Sequence, residues 1–207
     1  MKPPTFKEER KLWKKGYASV VGIDEVGRGP LAGPVVAAAC MFRPNFIMPR
    51  SLQKELRDSK KLSPKKRLKF YRFFRSHPAV QWGIGSVSEK TIDAINIFQA
   101  TKLAMKRALA RLEKKAGKAD FLLIDGTFFI ESKVSQKPMI KGDELVASCA
   151  VASIMAKVTR DRVMERYHKR YPAYGFDRHK GYGTRMHMQK LQEHGPCLIH
   201  RKTFLQG

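Results

Sequence analysis

Acidic side chains are scarce in this chain. Asp plus Glu total 18 of 207 residues, against 42 Lys plus Arg, for a net charge of +24. An excess of that size points to a polyanionic partner. Long apolar runs are missing, and no isolated basic amphipathic helix stands out, so nucleic acid fits that partner better than a membrane. The three cysteines, Cys40, Cys149 and Cys197, lie far apart, which fits neither a disulfide framework nor a zinc knuckle. Cys40 and Cys149 sit in apolar runs and are expected to be buried small side chains. The start, Met1 to Lys15, mixes both charge signs and has no apolar core, so it does not read as a signal peptide. A reducing, cytoplasmic location is the default expectation. No internal repeat or low-complexity tract is visible.

The hydrophobic share, 43%, is that of a folded chain, and 207 residues suit one domain with a sizeable core. With acids so few, their positions are informative. Asp24, Glu25, Asp125 and Asp143 all fall at the edges of apolar segments, where a solvated counter-charge has no need to be.

The stretch Val20 to Val36, V-V-G-I-D-E-V-G-R-G-P-L-A-G-P-V-V, organises the rest. It opens as an apolar run, reaches two adjacent carboxylates, turns through Gly-Arg-Gly and re-enters an apolar run. Acids at the end of a buried strand are costly unless a positive group sits between them. Hard oxygen ligands suit magnesium or manganese. Gly27 and Gly29 leave backbone amides open to an anion, and Arg28 adds a planar fork for phosphate. A bare Asp-Glu pair would read as ordinary surface acids; the full string is far more specific.

That string resembles the opening motif of ribonuclease HII. The resemblance extends through D-S-K-K-L-S (Asp58 to Ser63), I-F-Q-A-T-K-L-A-M (Ile97 to Met105), L-L-I-D-G (Leu122 to Gly126) and K-G-D (Lys141 to Asp143). It continues through A-S-I-M-A-K-V-T-R-D-R (Ala152 to Arg162) and H-K-G-Y-G-T (His179 to Thr184). The blocks run from about Tyr17 to the C-terminus in the family's order. The resemblance implies a ribonuclease H-like α/β fold: a mixed five-stranded sheet flanked by helices, with a small helical C-terminal portion. It also implies an endonuclease that cuts the RNA strand of RNA–DNA hybrids and incises 5′ of ribonucleotides embedded in duplex DNA. The products would be 5′-phosphate and 3′-hydroxyl ends, with two divalent cations, Mn2+ or Mg2+, as cofactors.

The pattern of the chain is compatible with that fold. Phe6 to Lys15 reads as a short charged helix, Tyr17 to Asp24 as a buried strand, and Gly33 to Phe42 as an antiparallel neighbour. Arg43 to Leu62 is expected to be irregular. Ser63 caps a helix with Pro64 at its first position, ending near Pro78. Ala79 to Val87 is a third strand. Ser88 caps a short helix, and Ile97 to Lys115 forms a longer one with a core-facing apolar stripe. Phe121 to Asp125 is a short strand, and Lys133 to Ile140 is expected to hold an edge strand. Asp143 opens a long helix to about Arg170, and Thr184 caps a helix from Arg185 to His194. Residues 1–207 are expected to form one domain, with about 1–16 as an extension and about 171–207 as a substrate-contacting segment.

In open α/β sheets, sites form at the carboxyl ends of parallel strands. Asp24 and Asp125 would lie side by side if their strands are parallel neighbours, with Asp143 projecting toward the same point. The resemblance assigns catalysis to Asp24, Glu25, Asp125 and Asp143, with metal ligation by the first three and support or second-metal ligation by Asp143. On residue type alone Asp143 reads first as a helix N-cap, and Glu144 as a first-turn acid. Asp58 reads as a turn acid, with Lys60 and Lys61 available to phosphates. The resemblance also assigns substrate recognition to Gly27, Arg28, Gly29 and Tyr182, which would test for the ribose 2′-hydroxyl at the junction. The histidines lack any zinc pattern; any of His179, His187, His194 and His200 could contact phosphate.

Two alternatives stay open at this level. One is the sister family ribonuclease HIII, which usually carries an N-terminal substrate-binding domain; only about 16 residues precede the first strand here. The other is a non-catalytic basic nucleic-acid-binding protein, which explains the charge but not the acids. A monomer is the default expectation.

Overall fold

The computed structural model describes residues 2–205. In chain order its elements are α1 (Lys7–Lys14), β1 (Val20–Val26), β2 (Val35–Phe42), α2 (Arg50–Glu55), α3 (Pro64–Ser76), β3 (Val80–Val87) and α4 (Glu89–Ala116). There follow β4 (Phe121–Asp125), β5 (Ser135–Met139), α5 (Gly142–Leu145), α6 (Ala147–Arg170), α7 (Phe176–His179) and α8 (Arg185–His194).

The strands form one mixed sheet in the order β3-β2-β1-β4-β5. β1 pairs antiparallel with β2 and parallel with β4, and Ile23 faces Ile124 in that parallel register. β5 is the edge strand, also parallel to β4. Its Pro138 cannot donate to a ladder, which an edge position tolerates.

Helices cover both faces because β2 is apolar on both. Val36, Ala38, Cys40 and Phe42 pack against α3 and α6, while Val35, Ala37 and Ala39 pack against α4. The alanines keep both layers close to the sheet. On β3 the need is stricter: a Cβ at Gly83 or Gly85 would strike the α4 backbone at Ala108 and Ala104. A smaller cluster of Ala32, Met164, Tyr174, Phe176 and Ile199 joins the C-terminal segment to α6 and to the β1–β2 loop.

The expected caps appear: Ser63 accepts from the Lys66 N–H, Ser88 from Thr91 and Thr184 from His187. Several expectations need correction. Arg43 to Leu62 is not wholly irregular, because it holds α2 and a 3-10 turn over Ser59–Lys61. α2 has a single buried side chain, Leu52, and no side-chain cap, so it carries almost no pattern. β1 runs past Asp24 to Val26. The helices expected after Ser88 and from Ile97 abut with no spacer; only Asn96 (φ 62°, ψ 165°) breaks them, and its Oδ1 accepts from the Gln99 N–H at 3.1 Å.

The largest correction concerns Asp143. It does not open the long helix but sits in α5, separated from α6 by extended Val146 (φ −113°, ψ 124°). The N-terminal segment holds this break. The Thr5 N–H donates to the Leu145 carbonyl (3.1 Å), and the Thr5 carbonyl accepts from the Ala147 N–H (3.0 Å). α6 has no cap of its own, and Glu9 of α1 supplies one by accepting from the Ser148 N–H at 2.8 Å.

Candidate active site

Strand alternation decides which acids meet. Asp24 points to the α6 face with Val26, and Asp125 shares that face with Leu123, which packs beside Cys149 of α6. The parallel register puts the two at the same carboxyl edge. Asp125 Oδ1 accepts the Gly142 N–H at 2.7 Å, which anchors the start of α5 and so brings in Asp143. Asp24, Asp125 and Asp143 each offer one oxygen, all within 4.8 Å of one another.

Glu25 lies beside this group, not within it. As the next residue on the strand it leaves by the opposite face, where Oε1 is 3.6 Å from Arg28 Nη1. Its Oε2 is buried with no hydrogen-bond partner.

The electrostatics are those of a crowded anionic pit. Burial, then Glu25 and Asp125, hold Asp24 well above the usual carboxylate range. Burial raises Glu25 to about 7 against the opposing pull of Arg28. Asp143 is also pushed up to about 7, by burial and then by Asp125 and Asp58. Close acidic oxygens, raised affinity for protons and an orphaned buried carboxylate oxygen together fit hard divalent cations.

Lys60 stands at the rim. Burial lowers its pKa, but Asp58, Asp24 and Asp143 outweigh that and leave it raised. Lys61 instead pairs with Glu144 at 2.7 Å, so Glu144 reaches a partner beyond its own helix. Asp58 is a turn acid as expected, accepting from the Lys60 N–H at 3.0 Å. Yet it also crowds Asp143 and helps to push that carboxyl up, a role its sequence position did not suggest. Ser153 was also missed: its hydroxyl donates to the Ser59 hydroxyl at 2.9 Å and, beside Asp24, partly offsets the rise of that carboxyl. A polar residue one helical turn from Cys149 on an otherwise buried helix was its only signal.

Gly27 adopts φ +95°, and a Cβ there would collide with the Arg160 side chain. Arg28 and Gly29 are exposed, and the Cα of Gly29 faces open space. Two fully buried arginines fix this loop. Arg201 donates to the carbonyls of Gly27, Arg28 and Gly33. Arg160 donates to those of Ala32, Pro34 and Lys180. Arg160 thereby ties the loop to the segment carrying Tyr182, which is 39% exposed. Neither arginine was singled out in the sequence, since both look like further basic residues in a basic chain.

Three histidines do not face phosphate, contrary to expectation. His179, His187 and His200 are buried: the first two stack at 4.3 Å, and His187 Nε2 bonds His200 Nε2 at 3.0 Å. His187 Nδ1 meets the Tyr182 carbonyl at 2.9 Å, so the cluster supports that loop from behind.

A mixed sheet of this order, with carboxylates at the ends of its parallel central strands, defines a ribonuclease H-like fold. Solved structures agree. An Archaeoglobus fulgidus ribonuclease HII, in a complex with PCNA, superposes with a TM-score of 0.72 at 24% identity, covering 89% of this chain and 94% of that one. The ribonuclease H2 of Pyrococcus horikoshii OT3 gives 0.69 at 23% identity, covering 91% and 100%. At such identities the likeness speaks for the fold alone.

Sequence comparison goes further. The family model for ribonuclease HII matches residues 21–206. A ribonuclease HII of Chlamydia trachomatis serovar A is 49% identical over 197 residues, covering 95% of this chain and 86% of the relative. One from Desulfitobacterium hafniense is 48% identical over 199 residues, covering 96% and 73%. The chain belongs to the ribonuclease HII family. It is accordingly a metal-dependent endonuclease with ribonuclease H activity on RNA–DNA hybrids. Among the described residues, no helix is long and apolar enough to cross a membrane.

Proposed function

We propose that this enzyme hydrolyses the RNA strand of hybrids and also incises 5′ of single ribonucleotides in duplex DNA, using two divalent cations. The observation that carries the reading is the meeting of Asp24, Asp125 and Asp143 within 4.8 Å, from three separate elements, in a strongly basic protein.

Asp24 and Asp125 would hold the cations from the sheet edge, with Asp143 closing the group from α5 and Glu25 offering its unpartnered oxygen from the other face. When bound, magnesium or manganese supplies the acidity that activates water and the charge that stabilises the leaving oxygen. The chain's own part is placement. Arg201 and Arg160 fix the Gly27–Gly29 turn, whose amides and Arg28 approach the backbone around the scissile phosphate. The exposed Tyr182 ring would stack on the deoxyribose beyond the junction, where a 2′-hydroxyl would be crowded. Lys60 offers a cation to a phosphate at the rim. Water adds to phosphorus and the bond to the upstream 3′-oxygen breaks. The products are a 3′-hydroxyl and a 5′-phosphate on the ribonucleotide.

The test is a duplex carrying one ribonucleotide. Metal-dependent incision on its 5′ side is expected, and an intact duplex beside a cleaved all-RNA hybrid would refute the finer specificity. Gel filtration is expected to give the mass of a monomer.

A further inference from the structure

A line of side-chain contacts leads out of the site in a direction that the proposed roles leave unused. Glu25 holds Arg28, whose guanidinium lies 5.9 Å from the centre of the Phe128 ring. Phe128 meets Phe98 edge to face at 5.3 Å. The Lys102 ammonium sits 4.6 Å from the Phe98 ring and 6.0 Å from that of Phe128. Phe98 is 39% exposed, and Phe129, beside Phe128 in the chain, is 57% exposed.

The backbone has special geometry at both ends of this line. Phe128 lies against Gly126 (φ +123°), directly after Asp125, so the ring is set by the strand that carries a pit carboxylate. Asn96 breaks α4 just before Phe98 and starts the run that presents Phe98 and Lys102 one turn apart. An open cleft lined by Gln99, Lys102, Lys106 and Glu131 continues the surface, with Lys106 paired to Glu131 at 2.6 Å.

Alternating cations and exposed rings match one ligand chemistry well. A nucleic-acid strand offers phosphates to the cations and apolar sugar or base faces to the rings. A purely anionic ligand would have no use for Phe98 and Phe129, and an apolar partner none for Lys102. Continuity with Arg28 fixes where such a strand comes from.

We propose that Arg28, Phe128, Phe98 and Lys102 form a strand-contact surface that takes the backbone of the substrate on one flank of the cleavage point. The proposal rests on the hybrid-cleaving reading and names where the duplex runs once it leaves the pit.

The experiment measures binding of a long, fluorescently labelled RNA–DNA hybrid in an Asp24→Asn background, which holds substrate without cutting it. Phe98→Ala combined with Lys102→Ala should weaken binding about tenfold. Both side chains are at the surface, and melting curves confirm that the variant folds. In the otherwise intact enzyme the pair should raise KM and leave kcat unchanged. Trimming the duplex from one end only should erase the difference between the variant and its parent. Equal affinity of the two for the long duplex overturns the proposal, as does a loss that persists with both ends trimmed. If the intact enzyme cuts no hybrid at all, the functional reading fails first, and the two failures are distinguishable.

Discussion

Two clusters of wholly or partly buried ionisable groups solve the same problem in opposite ways. At the carboxyl edge of β1 and β4, Asp24, Asp125 and Asp143 crowd within 4.8 Å of one another, with the Lys60 ammonium beside them. Behind the Tyr182 loop, His179, His187 and His200 stack and hydrogen-bond to one another and to backbone. Burial drives Asp24 and Asp143 up and the three histidines down, with His187 falling to about 4. In both cases the charged form is penalised. A histidine at neutral pH answers by being neutral and sharing ring hydrogen bonds. A carboxylate can only take a proton or a cation. One cluster is therefore complete as protein alone, and the other is built for an added positive group.

The contrast is sharpest when a pit charge is removed. Asp24→Asn should lower metal-dependent cleavage by on the order of 10³-fold in single-turnover assays. The same change should raise the melting temperature of the metal-free protein by roughly 2–4 °C at pH 8, since a repulsive buried charge has gone. A fall in melting temperature would mean that the pit is not self-repelling. Next comes the membership of the metal group. Asp143→Asn should cut manganese affinity on the order of 10- to 100-fold in calorimetric titration, and Glu25→Gln less, because Glu25 stands on the other face. The reverse order would favour Asp24, Glu25 and Asp125 as the ligand set.

A smaller effect tests the scaffold of the pit. Glu9→Ala removes the remote cap on α6 and should cost about 1–2 kcal/mol in urea unfolding. Because Thr5 and Glu9 flank the α5–α6 break, the variant should need more metal for half-maximal cleavage while reaching the same rate at saturation. The smallest effect is the pH response of the histidine cluster. The folded pKa of His187 lies below its unfolded value near 6.5, so its contribution to stability is full above that pH. It is lost as pH falls from about 6.5 toward 4. The stability gap between the native protein and His187→Asn should therefore narrow between pH 7 and pH 4.5. In the metal-free pit the sign is opposite. Glu25 and Asp143 have folded values raised to about 7, so their penalty is full above pH 7 and eases as pH falls.

Much of this was legible from residue order. Strands with strong apolar runs, the Ser63, Ser88 and Thr184 caps, and the acids at strand ends are local features, and local features survive folding. What escaped was non-local. α2 has too little pattern to be seen, and the break at Val146 is imposed by Thr5, more than a hundred residues away. Arg160 and Arg201 resemble every other basic residue until their carbonyl partners are known.

Sequence by itself determined the family, the polyanionic partner and the short list of acids, because composition and motif order are properties of the chain. Tertiary structure alone decided which acids share an oxygen-lined pit. Strand alternation sends neighbours Asp24 and Glu25 to opposite faces, while sheet register and a hydrogen bond to Gly142 bring Asp125 and Asp143 to Asp24. Proximity along a polymer and proximity in space are separate quantities, and a cation responds only to the second.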